Sequence, residues 1–181
     1  MPRAFIAIPL ASGLRAWVKE VQEELALASG DGLERAVKWV EGPNLHFTLK
    51  FLGEVREGDL EGVYGAVEQA LEGKRQFRLA LRGIGAFPNA RAPRVIWIGV
   101  EEGRSQLSTL ARDVESALAR SGFPQEAREF APHLTIARVK APRGVRLERL
   151  AKAIEARGNV EVGSMDVERV AVMKSVLTPG G

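Results

Sequence analysis

The chain contains two histidines, and both sit in the same local phrase: His46-Phe47-Thr48-Leu49 and His133-Leu134-Thr135-Ile136. In an extended strand, residues i and i+2 project to the same side. His46 and Thr48 therefore share one face, His133 and Thr135 share another, and Phe47, Leu49, Leu134 and Ile136 turn toward the core. Near neutral pH an imidazole is available both neutral and protonated, because its usual pKa is about 6.5. The neutral form takes a proton from water, and the cation gives one to a leaving oxygen. Threonine hydroxyls donate to non-bridging phosphate oxygens. This set suits general acid–base phosphoryl chemistry that needs no metal. A lone strand histidine is more often a hydrogen-bonded structural residue, and a lone His-x-Thr carries little information. Two copies that hold both histidines of the chain carry far more. A two-histidine metal site is disfavoured, because neither motif has a local His-Glu-x-x-His pattern or a nearby carboxylate pair.

The elements that must position these motifs follow from periodicity. Residues 3–8 form a strand stopped by Pro9. Leu14, Trp17, Val18, Val21 and Leu25 recur at helical spacing over 12–28, with Ser12 as N-cap and Gly30 as stop. Gly42-Pro43-Asn44 is a turn, and a strand runs from Leu45 to Leu52. A helix over 58–73 carries Leu60, Val63, Val67, Ala70 and Leu71 on one stripe. Strands over 76–86 and 94–100 form a hairpin around a proline-bounded loop at 87–93. A helix over 104–121 turns Leu107, Leu110, Ala111, Val114 and Leu118 inward, and Gly122 ends it. A strand follows over 133–139, a helix over 146–157, and a short strand or loop over 158–163. Residues 165–177 close the chain as one nearly continuous apolar strand. Each His-x-Thr strand is followed by a loop, a helix and another strand. That echo implies an α+β fold of two related lobes, each a small antiparallel-rich sheet backed by helices, in one domain over residues 1–181.

Composition narrows the chemistry further. A chain of 181 residues with 45% hydrophobic content builds one well-buried core or two small lobes. Charged residues make up 27% with a net charge of +3, which fits an anionic substrate without demanding one. The absence of cysteine removes disulfides, thiolate catalysis and cysteine-ligated metals, and suits a reducing cytoplasm. No apolar run reaches bilayer-spanning length, and the N-terminal stretch lacks the pattern of a signal peptide. A soluble cytoplasmic monomer without cofactor is expected.

The motifs and their flanks resemble the RNA 2′,3′-cyclic phosphodiesterase (2′-5′ RNA ligase) family of the two-histidine phosphoesterase superfamily. The resemblance covers nearly the whole chain. It includes Arg3-Ala4-Phe5-Ile6-Ala7-Ile8, Trp39-Val40, and Asn44 through Gly53 around the first motif. It continues through Gly85-Ala86-Phe87-Pro88, Arg94 to Val100, Phe130 to Arg138, Met173-Lys174-Ser175 and Pro179-Gly180-Gly181. It implies a bilobal fold with pseudo-twofold symmetry and a central cleft. It also implies hydrolysis of RNA 2′,3′-cyclic phosphate ends to 2′-phosphates, with reversible 2′-5′ joining of RNA, including tRNA halves. By the same resemblance His46 is the proton donor and His133 the acceptor. The two motifs are locally equivalent, so the residues alone do not order these roles. Family members continue past Pro-Gly-Gly into a further strand with an aromatic residue, whereas this sequence ends at Gly181.

Several other residues are candidates for substrate contact. Lys50 lies four residues after His46, so an unbroken strand puts it on the histidine's face, where it would meet phosphate; a solvated strand end is the competing reading. Arg138 lies five after His133, on the opposite face of a regular strand, and reaches the phosphate only through a bulge or a long reach back. Phe87 is the aromatic best placed to stack a base; Trp39, Phe51, Trp97 and Phe130 are alternatives, most of them expected in the core. Arg91 and Arg94 are loop cations for an RNA backbone. Two other functions compete: a non-catalytic module that binds RNA ends or nucleotides, and a phosphodiesterase for a small cyclic or 2′-5′-linked nucleotide.

Overall fold

The computed structural model describes residues 3–30, 33, 35–140 and 147–175. Its strands are β1 (Arg3–Pro9), β2 (Val37–Trp39), β3 (His46–Glu54), β4 (Phe77–Phe87), β5 (Val95–Val100), β6 (His133–Val139), β7 (Glu161–Val167) and β8 (Ala171–Ser175). Its α-helices are α1 (Ser12–Ser29), α2 (Leu60–Leu71), α3 (Arg104–Arg120) and α4 (Glu148–Ala156). Two antiparallel sheets form, one in the order β3-β1-β8 and the other β2-β6-β5-β4-β7. Helices α2 and α3 pack together on the β3 side, while α1 and α4 pack together over β7 and β4. Each sheet thus turns one face to a helix pair and carries one His-x-Thr strand, β3 in the first and β6 in the second.

The halves of the chain exchange elements. Strand β4 follows α2 but joins the sheet of β5 and β6, and β8 follows α4 but joins the sheet of β1 and β3. Helix α1, from the first half, covers the second half's sheet, and α3 reaches back to β3. Folding therefore requires both halves at once, and a single apolar core runs through both layers.

The apolar stripes explain the helices. Leu14, Val18, Val21 and Leu25 are buried on α1, and Leu107, Leu110, Ala111, Val114 and Leu118 on α3. Trp17, expected on the α1 stripe, is instead 58% exposed: it sits one position off the buried line. Ser12 is the first helical residue rather than the cap, and Ala11 holds the N-cap position without a side-chain bond. Gly30 ends α1 with φ 75°, as expected. Strand β2, not foreseen, is a three-residue edge strand on β6, too short to show a period.

The C-terminal region departs most from expectation. The stretch read as one strand over 165–177 is divided: β7 occupies 161–167 and β8 occupies 171–175. Strand β7 pairs with β4 in the larger sheet and β8 with β1 in the smaller, so the chain must break between them, at the charged Glu168-Arg169 step. The expected end of that strand, at Leu177, and Pro179-Gly180-Gly181 lie outside the described residues. Among the described residues no helix is long and apolar enough to cross a membrane.

Gly85 faces Trp97 across the β4–β5 pair, and a Cβ there would overlap the indole ring. We expect Gly85→Ala to lower unfolding free energy by about 1–3 kcal/mol through this overpacking. Gly62, exposed on α2 with open space beside it, has no such constraint. Gly62→Ala should stabilise by about 0.5–1 kcal/mol. Chemical denaturation of the two variants checks both signs.

Candidate active site

Both histidines begin their strands, where the backbone enters from a loop. Nδ1–H of His46 donates to the Asn44 carbonyl at 2.6 Å, and Nδ1–H of His133 donates to the Ala131 carbonyl at 2.6 Å. A carbonyl only accepts, so the proton belongs on Nδ1 and Nε2 is left for proton transfer. The two imidazoles are held by the same i−2 device. As the alternation predicts, Phe47, Leu49, Leu134 and Ile136 are buried, while both histidines and both threonines are half-buried.

The environment works against the charged form of each ring. Burial pushes both imidazoles below their usual range, the bond to the carbonyl pulls them partly back, and the Arg138 guanidinium pushes both down again. One cation thus acts on both histidines, whose strands β3 and β6 lie in contact.

A β-bulge brings it there. Ile96 pairs with Ala137 but Trp97 pairs with Thr135, so Ile136 is an extra residue on β6. Ile136 and Ala137 both turn inward, and Arg138 emerges on the face of His133 and Thr135. The same irregularity occurs in β3, where Ile6 pairs with Lys50 and Ala7 with Thr48, leaving Leu49 extra. Leu49 and Lys50 both turn inward, and Phe51 emerges on the face of His46. The bulge in β6 turns Arg138 to the histidine face, whereas the bulge in β3 turns Lys50 away from it.

Lys50 is therefore neither a phosphate contact nor a solvated lysine. It is 3% exposed, and its Nζ donates to Glu115 Oε1 on α3 at 2.8 Å and to the Pro124 carbonyl at 2.6 Å. The same Glu115 oxygen accepts the Glu126 N–H at 2.8 Å. Lys50 thus ties β3 to the loop that leads into His133.

Aromatic rings flank both imidazoles. Phe5, opposite Phe51 on β1, lies 4.8 Å from the His46 ring centre and 6.0 Å from that of Phe51. Phe87, the last residue of β4 rather than a loop residue, stands edge-on to His133 at 5.1 Å and 5.2 Å from Trp97. Trp97 pairs with Thr135 on the same face. Trp39 and Phe130 pack against the core instead. Arg91 and Arg94 are exposed in the loop beyond Phe87, where Asn89 Oδ1 accepts the N–H groups of Arg91 and Ala92. Lys38, opposite Arg138 on β2, is a further cation on this face that sequence reasoning missed, because β2 itself gave no periodic signal. Among the described residues no three histidine, aspartate or glutamate side chains gather into a metal-holding group.

The burial of Lys50 sets a contrast with Arg138. Lys50→Met leaves the Glu115 carboxylate and the Pro124 carbonyl without their cation and should cost about 2–4 kcal/mol of stability. Arg138→Met, at an exposed position, should change stability by no more than about 0.5 kcal/mol. Equal denaturation midpoints for the two variants would contradict these placements.

Known proteins resemble this chain in sequence and in fold. A family model described as the 2′-5′ RNA ligase superfamily matches residues 12–178. The RNA 2′,3′-cyclic phosphodiesterase of Methanothermobacter thermautotrophicus is 44% identical over 179 residues, covering 99% of this chain and 92% of that protein. The protein of the same name from Aquifex aeolicus is 32% identical over 99% of this chain and 91% of its own length. Among solved structures, TT0787 of Thermus thermophilus superposes with a TM-score of 0.77 at 30% identity, covering 99% of this chain and 91% of that one. E. coli LigT complexed with 3′-AMP gives 0.73 at 25% identity, over 98% of this chain and 91% of LigT. With its two antiparallel sheets, its paired His-x-Thr strands and near full-length relatives on both counts, this chain belongs to the 2′-5′ RNA ligase superfamily.

Proposed function

We propose that this protein hydrolyses RNA 2′,3′-cyclic phosphate ends to 2′-phosphates with His46 and His133 as the acid–base pair. The observation that carries this reading is the matched imidazole geometry. Each Nδ1 is committed to a backbone carbonyl, each Nε2 remains for proton transfer, and one guanidinium serves both rings. The full-length relatives named RNA 2′,3′-cyclic phosphodiesterase support the same reaction.

The chemistry follows from these groups. His133 Nε2 takes a proton from water as the water oxygen attacks phosphorus. The bond from phosphorus to O3′ breaks, and His46 Nε2–H gives its proton to O3′. The product carries a 2′-phosphate and a free 3′-hydroxyl. Thr48, Thr135 and Arg138 hold the non-bridging oxygens, where negative charge accumulates. Phe51, 56% exposed, and Phe87 offer rings to the terminal bases. A 5′-hydroxyl in place of water gives a 2′-5′ linkage by the same proton transfers, and that is the route to joined RNA, with tRNA halves as one substrate. We further propose a monomeric protein of the cytoplasm, acting as one bilobal domain.

The pH dependence follows from the two lowered imidazoles. The reactive free enzyme carries one proton on the pair, and that form peaks between the pair's two apparent pKa values. Both rings lie below 6.5 in the free protein, so kcat/KM should peak on the acid side of 6.5 and fall as pH rises. A bound phosphate anion favours the imidazolium, so the kcat profile should lie at higher pH. A kcat/KM optimum above pH 7 would contradict this assignment.

The direct test is a short RNA ending in 2′,3′-cyclic phosphate, incubated with the protein in EDTA. A 2′-phosphate product is expected. His46→Ala and His133→Ala should each lose on the order of 10²- to 10⁴-fold in rate while remaining folded. Thr48→Val should lose less than either, but clearly more than Phe47→Leu. Bound RNA without product would favour an end-binding module instead.

A further inference from the structure

The side on which Arg138 emerges depends on the bulge at Ile136, and a buried side chain helps to hold that bulge. Gln22 of α1 is 8% exposed. Its Nε2 donates to the Ile136 carbonyl at 2.9 Å and to the Val40 carbonyl at 2.9 Å. The Ile136 carbonyl also accepts the Val40 N–H at 2.9 Å, so the extra residue is fastened from the helix and from the β2 edge together. Without the extra residue, strand alternation would turn Arg138 away from His133.

The first sheet has a counterpart. Gln22 directly follows Val21 in the stripe Leu14-Val18-Val21-Leu25, and Glu115 directly follows Val114 in the stripe Leu107-Ala111-Val114-Leu118. Glu115 takes Lys50, the residue after the extra Leu49 of β3. The same helical position therefore meets the same strand irregularity in both halves. Each helix braces the histidine strand of the other half: α1 holds β6, and α3 holds β3.

We propose that Gln22 is a positioning residue for the reaction: by holding the Ile136 carbonyl it fixes the β6 bulge, and so fixes Arg138 on the face shared with the two histidines. The kinetic part of this proposal rests on the reading given under Proposed function; the structural part does not.

The test uses the full chain and four proteins: wild type, Gln22→Met, Arg138→Met and the double variant. Methionine keeps the length of Gln22 and removes its N–H donors. The chain has two histidines, so the imidazole Cε1–H protons give two NMR signals to titrate. Arg138 lowers both rings, so Arg138→Met should move both titrations to higher pH. Lys38, the neighbouring cation on that face, is the same in all four. Gln22→Met should move both titrations in the same direction, and the double variant should match Arg138→Met alone. Gln22→Met should also lower kcat/KM on the cyclic-phosphate RNA at least about 10-fold, as displaced site groups do, and should add no loss in the Arg138→Met background.

A purely structural Gln22 predicts otherwise. Histidine titrations at wild-type positions in Gln22→Met, or an equal fold-loss in both backgrounds, would overturn the proposal. So would an Arg138→Met protein whose histidines do not move. Should Gln22→Met fail to fold, Gln22→Asn keeps the amide but draws it back by one methylene, and the same comparison applies. The NMR arm needs no substrate. A wild type that leaves cyclic phosphate untouched would overturn the functional reading while leaving the titrations to judge Gln22.

Discussion

A β-strand shows alternate residues to opposite sides, and one extra residue reverses every assignment beyond it. The site depends on that reversal, made twice. Before each bulge, the histidine and threonine of the motif share one face under ordinary alternation. After it, the chain turns two consecutive residues inward, Leu49 with Lys50 and Ile136 with Ala137. The next residue then returns to the histidine's face within five positions of it. A regular strand offers only even spacings to one face; the bulged strand supplies 0, +2 and +5. One rigid element thereby presents an imidazole, a hydroxyl and a third side chain to the same side.

The two halves use the device alike but fill the third position differently. Phe51 occupies it on β3, and Arg138 on β6. The opposing strands differ too, with Ala7 across from Thr48 and Trp97 across from Thr135. Two equivalent imidazoles in equivalent surroundings would titrate alike, and a reaction that needs one acid and one base gains from unequal surroundings. Here the repeat provides matched rings and tautomers, and the substitutions within it provide the asymmetry. Burial first, and the single guanidinium in addition, lower both rings. Under the proposed reaction, a phosphate beside Arg138 would offset that cation and raise the proton affinity of the ring that acts as acid.

Much of this could be read from residue order. The His-x-Thr faces, the buried partners between them, and the stripes of α1, α2 and α3 follow from periods of two and 3.6. The bulges do not, because an inserted residue looks like any other apolar residue. Plain alternation therefore puts Lys50 on the wrong face, and it admits Arg138 to the histidine face only on the condition of a bulge, which β6 supplies. The apolar run after residue 165 hid a change of sheet, since hydrophobicity records burial but not which sheet provides it. The three residues of β2 were too few to show alternation, so Lys38 went unseen. Gln22 and Glu115 read as ordinary helical polar residues; only their place beside the stripe, repeated in both helices, distinguishes them in hindsight.

That repeated place suggests why the halves are interlocked rather than side by side. A bulge leaves backbone groups out of the ladder, and a buried carbonyl without a partner is costly. The groups must be met by something that approaches the strand from its core face. In β6 the Val40 N–H and the Gln22 amide of α1 both meet the Ile136 carbonyl, and in β3 Glu115 of α3 meets the inward Lys50 side chain, so each histidine strand is braced by a helix of the opposite half. Ion pairing serves one bulge and an amide the other, in keeping with the residue each bulge turns inward. Lys50 brings a cation into the core and needs the Glu115 carboxylate, whereas Ala137 brings nothing, leaving the Ile136 carbonyl to take the Gln22 amide. Neither half can form its bulged strand alone with its polar groups satisfied. The geometry of each histidine is thereby tied to the folding of the other half, which keeps two separate sheets in the fixed relation that a shared proton-transfer site requires.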